Sequence, residues 1–486
     1  MIKVADILKE KFIMRIIILA KRNKQRVYLV GGFLRDRWLK RQKQNWDLDF
    51  AVDFKAIDLA RTFAKETKSG FVVLDRQHGC ARVVLEGGTL DFADFRGKNL
   101  KEDLLHRDFT INTLALPLCY KSGTKRPLLD YYNARGDLEK GIIRMTSDSS
   151  FEEDPLRILR AFSLSALLNF KIEKTTLMMA EKQKDRLKDV SCERIRDELF
   201  KIFSVPYSYK YISALDNIGI LSLVIPQIEL MRNLKQGSYH HLDVWGHSLE
   251  TLRQYELLIA GIENNQIKSY INEILAAERT RNQIIKLVCL LHDVGKPQAY
   301  RIKEKKTIFY GHERIGRDIS EAIVDRLRLS TKEKFAIETM IFWHLRPGYL
   351  ADNIILTERA KFRYFRDAAD EAISILLLSI ADQRATRGPL ANPKSRHKHE
   401  KIVFGLIEEY FKRKKENKVI RLITGDDLIK TLRLKPSPLF RIILDEIEQS
   451  QAEGKVKTKQ QALALAKRIA EENQDDKRVD FKKPKL

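Results

Sequence analysis

The chain has 486 residues, which is too long for a single hydrophobic core and suggests roughly three or four domains. Its composition, 44% apolar and 32% charged, is that of a globular protein, and no apolar run is long enough to span a membrane. The net charge of +24 favours a polyanionic partner such as a nucleic acid. The four cysteines form no C-x-x-C pair, which argues against a disulfide framework or a zinc knuckle. We therefore expect a cytoplasmic protein with no membrane contact.

The pattern along the chain changes once, near residue 146. Before it, short β-branched runs alternate with glycine-rich turns, which predicts a small mixed sheet with a few helices. After it, apolar residues recur at helical spacing almost throughout, and RGPLANPKS at 387–395 is typical of a linker. We predict an α+β fold with these parts: a head at 1–145, a helical neck or body at 146–235, a helical domain at 236–390 and a helical tail at 391–486.

Two aspartates in the predicted strand WDLDF, Asp47 and Asp49, share one face of it, about 6–7 Å apart. Carboxylates at that spacing can share divalent cations, and Mg²⁺ binds one or two of them together with phosphate oxygens. The upstream turn at Gly31 and Gly32 would let backbone N–H groups approach a phosphate, with Arg35 as a cationic donor. The stretch predicts a triphosphate cradle beside a two-metal site. Solvated aspartates on a surface strand are the alternative.

Five further blocks follow this stretch in a fixed order. They are LDFADFRG (90–97), LLHRDFTINTLAL (104–116), DYYNARGDLEKGIIR (130–144), EEDPLRILRAF (152–162) and ERIRDELFKIF (193–203). Taken together, the blocks resemble the motifs of the class II tRNA nucleotidyltransferase and bacterial poly(A) polymerase superfamily. The resemblance implies a polymerase-β-like nucleotidyltransferase head, Mg²⁺ as its metal, and ATP and CTP as substrates. The last block is amphipathic, and the resemblance gives it a mainly structural role.

The resemblance also implies roles for single residues. It makes Asp47 and Asp49 the Mg²⁺-binding catalytic pair, with Asp91 as a further acidic strand position. The implied nucleotide-binding residues are Gly31, Gly32, Arg35, Arg107, Asp108, Asn112, Asp154, Arg157 and Arg160. Two positions depart from the family pattern: His106 replaces an arginine and Thr113 replaces an alanine. The first departure puts any role of that arginine in nucleotide selection in question.

Chemistry supports base reading by the block at 152–162. On a helix, Asp154 and Arg157 would face the same way. A carboxylate accepts from the exocyclic amine that cytosine and adenine share, and a guanidinium donates to the neighbouring ring nitrogen. Uracil and guanine reverse both groups and would leave them unpaired. The alternative is a surface salt bridge between Glu153 and Arg157.

A second set of metal-binding residue types lies between positions 240 and 382. Its six members are His247, His292, Asp293, His312, His344 and Asp382. Imidazole and carboxylate together suit Mn, Fe, Ni or Zn, and the order H…HD…H…H…D resembles the HD-domain metal phosphohydrolases. The resemblance implies an all-α HD domain with room for two metals. A structural or tRNA-binding domain without hydrolase activity is the alternative.

The predicted function is a tRNA nucleotidyltransferase that adds or repairs the 3′-terminal CCA, or its CC or A part. The alternatives are a poly(A) polymerase, and an HD phosphohydrolase with a non-catalytic RNA-binding head. Poly(A) polymerases usually carry a block like GRRFRLVHV, whereas this chain has VLDRQHGCARVVL, which favours tRNA. Relatives that add only CC or only A differ in loop length and flexibility between the first two motifs.

The tail resembles the C-terminal segment of HD-containing family members. The resemblance implies that it grips the tRNA elbow through phosphates and shape, while the head takes the tRNA 3′ end. No obligate protein partner is implied.

Overall fold

The computed structural model describes residues 11–41, 46–118, 127–304, 306–352, 356–415 and 422–479. The chain forms two compact units, which meet in sequence between Pro226 and Gln227. A mixed sheet in the first unit and a largely helical remainder confirm the predicted α+β class. The finer division into four parts stays a prediction. No described helix is long and apolar enough to cross a bilayer.

The head of the first unit is built on a six-stranded sheet in the order β3-β4-β5-β2-β1-β6. Its strands are β1 (Val27–Val30), β2 (Trp46–Val52), β3 (Gly70–Asp75), β4 (Cys80–Leu85), β5 (Gly88–Asp94) and β6 (Ala115–Pro117). β2 and β5 run parallel, whereas the other neighbouring strands pair antiparallel. The parallel register sets Asp49 beside Asp91 and Asp47 beside Thr89.

One face of the sheet is covered by helices and the other carries the polar residues. Helices of the head are α1 (Lys11–Arg22), α2 (Gly32–Trp38), α3 (Ala56–Thr67), α4 (Leu100–Leu105) and α5 (Ala134–Lys140). Leu48 and Phe50 are buried on the α3 side, where Phe50 stacks on Phe92 with ring centroids 4.9 Å apart. Because side chains alternate along a strand, Asp47 and Asp49 point to the opposite face.

The rest of the first unit is helical. It contains 3₁₀ turns at Thr110–Asn112 and Lys184–Asp189, a parallel strand pair β7 (Ile142–Ile143) and β8 (Lys171–Ile172), and helices α6 (Ser150–Glu153), α7 (Arg157–Leu168), α8 (Lys174–Gln183), α9 (Cys192–Phe203), α10 (Tyr209–Asn217) and α11 (Ile220–Val224). The single helix assumed through Asp154 and Arg157 is wrong, because Asp154 is extended between α6 and α7. Pro155 follows it and disfavours helical geometry in the residue before it.

The second unit is predominantly helical. Its helices are α12 (Val244–Ala260), α13 (Asn265–Ile271), α14 (Arg281–Leu291), α15 (Lys296–Ala299), α16 (His312–Arg326), α17 (Thr331–Trp343), α18 (Arg346–Asp352), α19 (Glu358–Ala368), α20 (Ala372–Ala385), α21 (Pro393–Lys415), α22 (Gly425–Lys430), α23 (Leu439–Ala452) and α24 (Lys459–Val479). It also holds 3₁₀ turns at Pro226–Met231 (which begins at the boundary) and Ala369–Glu371, and the hairpins β9 (Ile274–Ala276) with β10 (Arg279–Thr280) and β11 (Arg301–Lys303) with β12 (Lys306–Ile308).

Helix α20 is central to this unit, since α12, α14 and α21 all pack on it and its residues 372–381 are all buried. The predicted linker at 387–395 follows α20, although α21 already begins at Pro393. The three helices after residue 422 have an apolar core of their own, which includes Leu428, Ile443 and Ala466.

Candidate functional site

The glycine turn between β1 and α2 lies against the carboxylate pair. Gly31 has φ +82°, a conformation that favours glycine. A Cβ atom at this position would collide with the Asp49 carboxylate and lie 3.0 Å from Nη1 of Arg107. Only a residue without a side chain therefore lets the main chain pass this close to Asp49, with Arg107 on the same side.

The carboxylates differ in their surroundings. Asp47 is exposed and accepts a hydrogen bond from the Thr89 hydroxyl. Burial raises the pKa of Asp49 above its ordinary value; the charge of Arg107 opposes this rise and that of Asp91 adds to it. Asp49 has acidic neighbours in Asp47 and Asp91, and carboxylate oxygens are ligands that Mg²⁺ prefers. The residues present therefore fit a divalent cation at Asp47 and Asp49.

Asp91 already has a cationic partner. Nε and Nη2 of Arg82 lie 2.7 Å from its two oxygens, so the pair is bidentate across β4 and β5. Such a pair is geometrically specific and largely neutralises the carboxylate. Asp91 thus lies on a strand beside Asp49 but is less available than Asp49 to bind a metal.

A buried hydrogen-bond chain stands behind the glycine turn. Arg35 pairs with Asp36 at 2.8 Å and donates from Nη1 to the Asn112 side-chain oxygen at 2.8 Å. The Asn112 amide donates to Asp108 at 2.9 Å, and Arg160 lies 2.8 Å from the other Asp108 oxygen. Burial raises the pKa of Asp108, but the charge of Arg160 and the hydrogen bond from Asn112 outweigh it and lower that pKa. Arg35 therefore joins the turn to this chain.

The predicted base-reading arginine is buried and partly engaged by the main chain. Arg157 donates from Nη2 to the His106 carbonyl at 2.6 Å and from Nη1 to the Ser150 carbonyl at 3.1 Å. Glu153 lies 3.5 Å from Nη1, so the salt bridge considered as an alternative is present. Glu153 also lies 3.0 Å from Nδ1 of His106, the residue that replaces the family arginine.

Asp154 pairs with an arginine that sequence reasoning missed. Its Oδ2 accepts from Nη2 of Arg194 on α9 at 2.8 Å. Arg194 belongs to the block at 193–203, to which the resemblance gives a mainly structural role. The polar residues of that block were the sequence signal from which Arg194 could have been identified.

A cavity of about 280 Å³ joins most of these side chains. Its lining comprises Asp49, Ala51, Ala93, Asp94, Arg96, Asp103, His106, Arg107, Asp108, Asp154, Arg157 and Arg160. The predicted residues Asp49, Arg107 and Arg157 thus meet at one cavity. The lining aspartates and arginines that were not predicted are Asp94, Arg96 and Asp103, although Asp94 and Arg96 lie in the quoted block at 90–97.

The six predicted metal-binding residues of the second unit come together in two groups. In the first, Nε2 of His247 lies 2.9 Å from Asp382 Oδ1, and Nε2 of His292 lies 4.0 Å from it. The second group contains Asp293, His312 and His344. The two oxygens of Asp293 face different groups: Oδ1 lies 3.3 Å from His312 and Oδ2 lies 3.2 Å from His292.

Three of the four imidazoles are oriented by main-chain carbonyls. Nδ1 of His292, His312 and His344 lies 3.0, 2.8 and 2.7 Å from the carbonyl oxygen three residues earlier. A hydrogen bond from Nδ1 assigns the proton to that nitrogen and leaves Nε2 with its lone pair directed into the cluster. Burial, followed by the charges of His312 and His292, lowers the pKa of His344 to about 3. Imidazoles with Nε2 directed into the cluster, together with the two carboxylates, fit a transition metal.

Comparison with known proteins agrees with this geometry. Residues 27–144 match the Poly A polymerase head domain, 169–231 a probable RNA and SrmB-binding site of polymerase A, and 244–387 the HD domain. The A-adding tRNA nucleotidyltransferase of Deinococcus radiodurans is 30% identical over 456 residues, which are 91% of this chain and 95% of that protein. This chain belongs to the tRNA nucleotidyltransferase family.

Other relatives support the same assignment. The CC-adding tRNA nucleotidyltransferase of Synechocystis sp. is 28% identical over 447 residues, which cover 91% of this chain and 93% of that protein. The solved CCA-adding enzyme of Thermotoga maritima, complexed with tRNA, has the same fold, with a TM-score of 0.63 at 20% identity over 95% and 94% of the two chains. The predicted family, transferase class and presence of an HD domain are confirmed, and tRNA nucleotidyl transfer is favoured over the two alternatives.

Proposed function

We propose that the head adds nucleotides to the 3′ end of tRNA, building or repairing the CCA sequence or its CC part from CTP and ATP in the cytoplasm. The observation that carries this proposal is the contact between the Gly31 turn and Asp49, which sets a phosphate-binding turn beside a carboxylate pair. Mg²⁺ held by Asp47 and Asp49 would polarise the primer hydroxyl and neutralise charge on the triphosphate.

The chain's own residues bind and orient the nucleotide. Main-chain N–H groups of the Gly31–Gly32 turn bind the triphosphate, and Arg107 adds a positive charge beside them. Arg35 fixes the turn from behind through Asn112 and Asp108, so it acts as a positioning residue. Because positioning and charge neutralisation supply most of the catalysis, this rigid support matters as much as the direct contacts.

Asp154 and Arg157, which line one side of the cavity, select the base. Asp154 accepts from the exocyclic amine of cytosine or adenine, and Arg194 holds its carboxylate in place. Arg157, held by the His106 and Ser150 carbonyls, donates to the ring nitrogen. Uracil and guanine present the reverse pattern, a carbonyl towards the carboxylate and an N–H towards the guanidinium, and are rejected.

The connections of the head favour CC addition. Residues 46–118 are all described, and their longest connection between helices and strands is the five-residue segment 95–99. That segment is tied down, since the Arg96 and Lys98 backbone N–H groups donate to Asp103 and Glu102, and the Asn99 side chain caps α4. Relatives that add only CC or only A differ in loop length and flexibility between the first two motifs, and the short, fixed connection is the observation that supports CC addition by this chain.

We assign a metal-dependent phosphohydrolase activity to the second unit. Its six converging ligands, with Asp293 between the two groups, fit a pair of transition-metal ions that would activate a water for phosphoester cleavage. The helical tail after residue 422, with its own apolar core, is proposed to hold the tRNA elbow.

The test is nucleotide addition to four tRNA transcripts that end at the discriminator base, C, CC and CCA. Each labelled nucleoside triphosphate is supplied singly and in combination, with Mg²⁺. We expect two cytidines on the first transcript, one on the second and none on the others. Addition of A after CC would make the chain a complete CCA-adding enzyme, long A tails would indicate a poly(A) polymerase, and no addition would refute the proposed function.

A further inference from the structure

An apolar patch lies on the same face of the head sheet as the carboxylate pair. Val72 and Leu74 on β3 and Val84 on β4 have exposed fractions of 51%, 52% and 46%. β3 is the edge strand of the sheet. Exposed aliphatic residues on an edge strand invite unwanted pairing with other chains, so a patch of three calls for a function.

The strand register places this patch on the same face as the aspartates. Cross-strand partners share a face, and one row of partners across the sheet is Asp49, Asp91, Arg82 and Val72. The next row is Asp47, Thr89, Val84 and Gly70. The face therefore changes from acidic at β2 to apolar at β3 over three strand spacings, about 14 Å.

The direction of the reaction identifies the occupant. β1 and its Gly31 turn lie on one side of β2, whereas β5, β4 and β3 lie on the other. In phosphoryl transfer the attacking and leaving oxygens are roughly in line. If the turn holds the leaving pyrophosphate, the attacking 3′ hydroxyl approaches from the β5 side, and the nucleotide that carries it extends over β4 and β3.

We infer that Val72, Leu74 and Val84 form a platform for the 3′-terminal nucleotides of the tRNA primer. This inference rests on the proposed function. The primer ends in a different base before each addition, so the contact must accept any base. Apolar contact with base and ribose faces does so, because every base has the same kind of face. Arg82 is 41% exposed beside Val72 and offers a cation to the backbone phosphates.

The first test replaces all three residues with serine (Val72→Ser, Leu74→Ser, Val84→Ser), with Ile18→Ser as the matched control. Ile18 is equally exposed, at 51%, but lies on α1. We expect KM for tRNA to rise at least tenfold in the triple variant, with KM for CTP within twofold and the control unchanged. An unchanged KM for tRNA would overturn the platform. An inactive wild type would instead refute the proposed function.

A second test does not depend on the folding of the triple variant. A photo-crosslinking p-benzoylphenylalanine at position 84 should crosslink to the last three nucleotides of the tRNA, and the same group at position 18 should not. Crosslinks only to the body of the tRNA, or to a second copy of this chain, would overturn the inference. The second result would identify the patch as a dimer interface.

Discussion

The two candidate centres of this chain are built in opposite ways. The head centre combines the exposed Asp47 with Asp49, whose pKa burial raises, and it opens into a cavity lined by arginines. In the second unit, His292 and Asp293 are 0% and 2% exposed, and three imidazoles are fixed by carbonyls. In the head, like charges lie side by side at the carboxylates and the arginines line the cavity beside them, whereas the histidine cluster has its donors oriented by carbonyls.

This difference indicates how each centre is used. A nucleotidyltransferase takes up and releases a metal-bound triphosphate in every cycle, so a site that is complete only with its substrate suits it. A hydrolytic metal centre retains its ions, so buried ligands with a fixed tautomer suit it. Variants that weaken single interactions in one centre or the other test this difference.

The largest change in stability is expected from Asp293→Asn. The oxygens of Asp293 face both ligand groups, and Oδ2 also lies 2.6 Å from Nζ of the buried Lys296. Removing one partner of a buried ion pair costs about 3–5 kcal/mol. Urea unfolding of the metal-free protein measures this loss. Asp382→Asn is the matched control, because Asp382 is 20% exposed, and an equal loss in both variants would contradict the bridging position of Asp293.

Arg157→Lys tests the wall of the head cavity. Lysine cannot replace the two-pronged contact with the His106 and Ser150 carbonyls, so we expect the first unit to lose about 2 kcal/mol of stability. CMP incorporation should fall as well, since the cytosine ring nitrogen loses its guanidinium donor. Single-turnover rates with CTP check this, and an unchanged rate would contradict it.

Asp91→Asn tests whether the ion pair with Arg82 keeps Asp91 from binding the metal. Because both oxygens are already bound by Arg82, we expect a fall in kcat of about tenfold. Asp49→Asn is the comparison, with an expected fall of about a thousandfold. Equal falls in the two variants would show that Asp91 takes a direct part in metal binding.

The smallest effect is expected from His399→Gln, which should change how the stability of the protein depends on pH. His399 on α21 is buried, and its Nε2 lies 3.0 Å from the Ser379 hydroxyl on α20. Burial lowers its pKa in the folded chain, so below about pH 6.5 the unfolded chain binds the proton more readily. The resulting stabilisation is present above that pH and lost as the pH falls. The free energy of unfolding, measured between pH 7 and 5, should therefore fall more with decreasing pH in the wild type than in the variant.

Short-range patterns predicted much of the two centres. The spacing of Asp47 and Asp49 predicted their common face, and the glycine turn next to them in sequence lies against Asp49 in the structure. The order H…HD…H…H…D indicated room for two metals, and the six predicted ligands do lie in two groups. These features depend on strand alternation and on the ligand types that metals prefer, both of which can be read from the sequence.

The features that sequence reasoning missed depend on register and packing. The Arg82–Asp91 pair exists because β4 and β5 align these two residues, which composition does not reveal. The Asp154–Arg194 pair joins residues 40 positions apart through the packing of α7 on α9. The interruption of the helix at Asp154 could have been predicted, because a proline follows it.

The most direct test of two independent centres is incorporation of labelled CMP by three proteins on one tRNA transcript that ends at the discriminator base. The proteins are the wild type, Asp49→Asn and Asp293→Asn, each at saturating CTP and Mg²⁺. We predict that Asp49→Asn loses incorporation while Asp293→Asn stays within about twofold of the wild type. Loss of incorporation in Asp293→Asn to the level of Asp49→Asn, with its fold intact, would contradict the account.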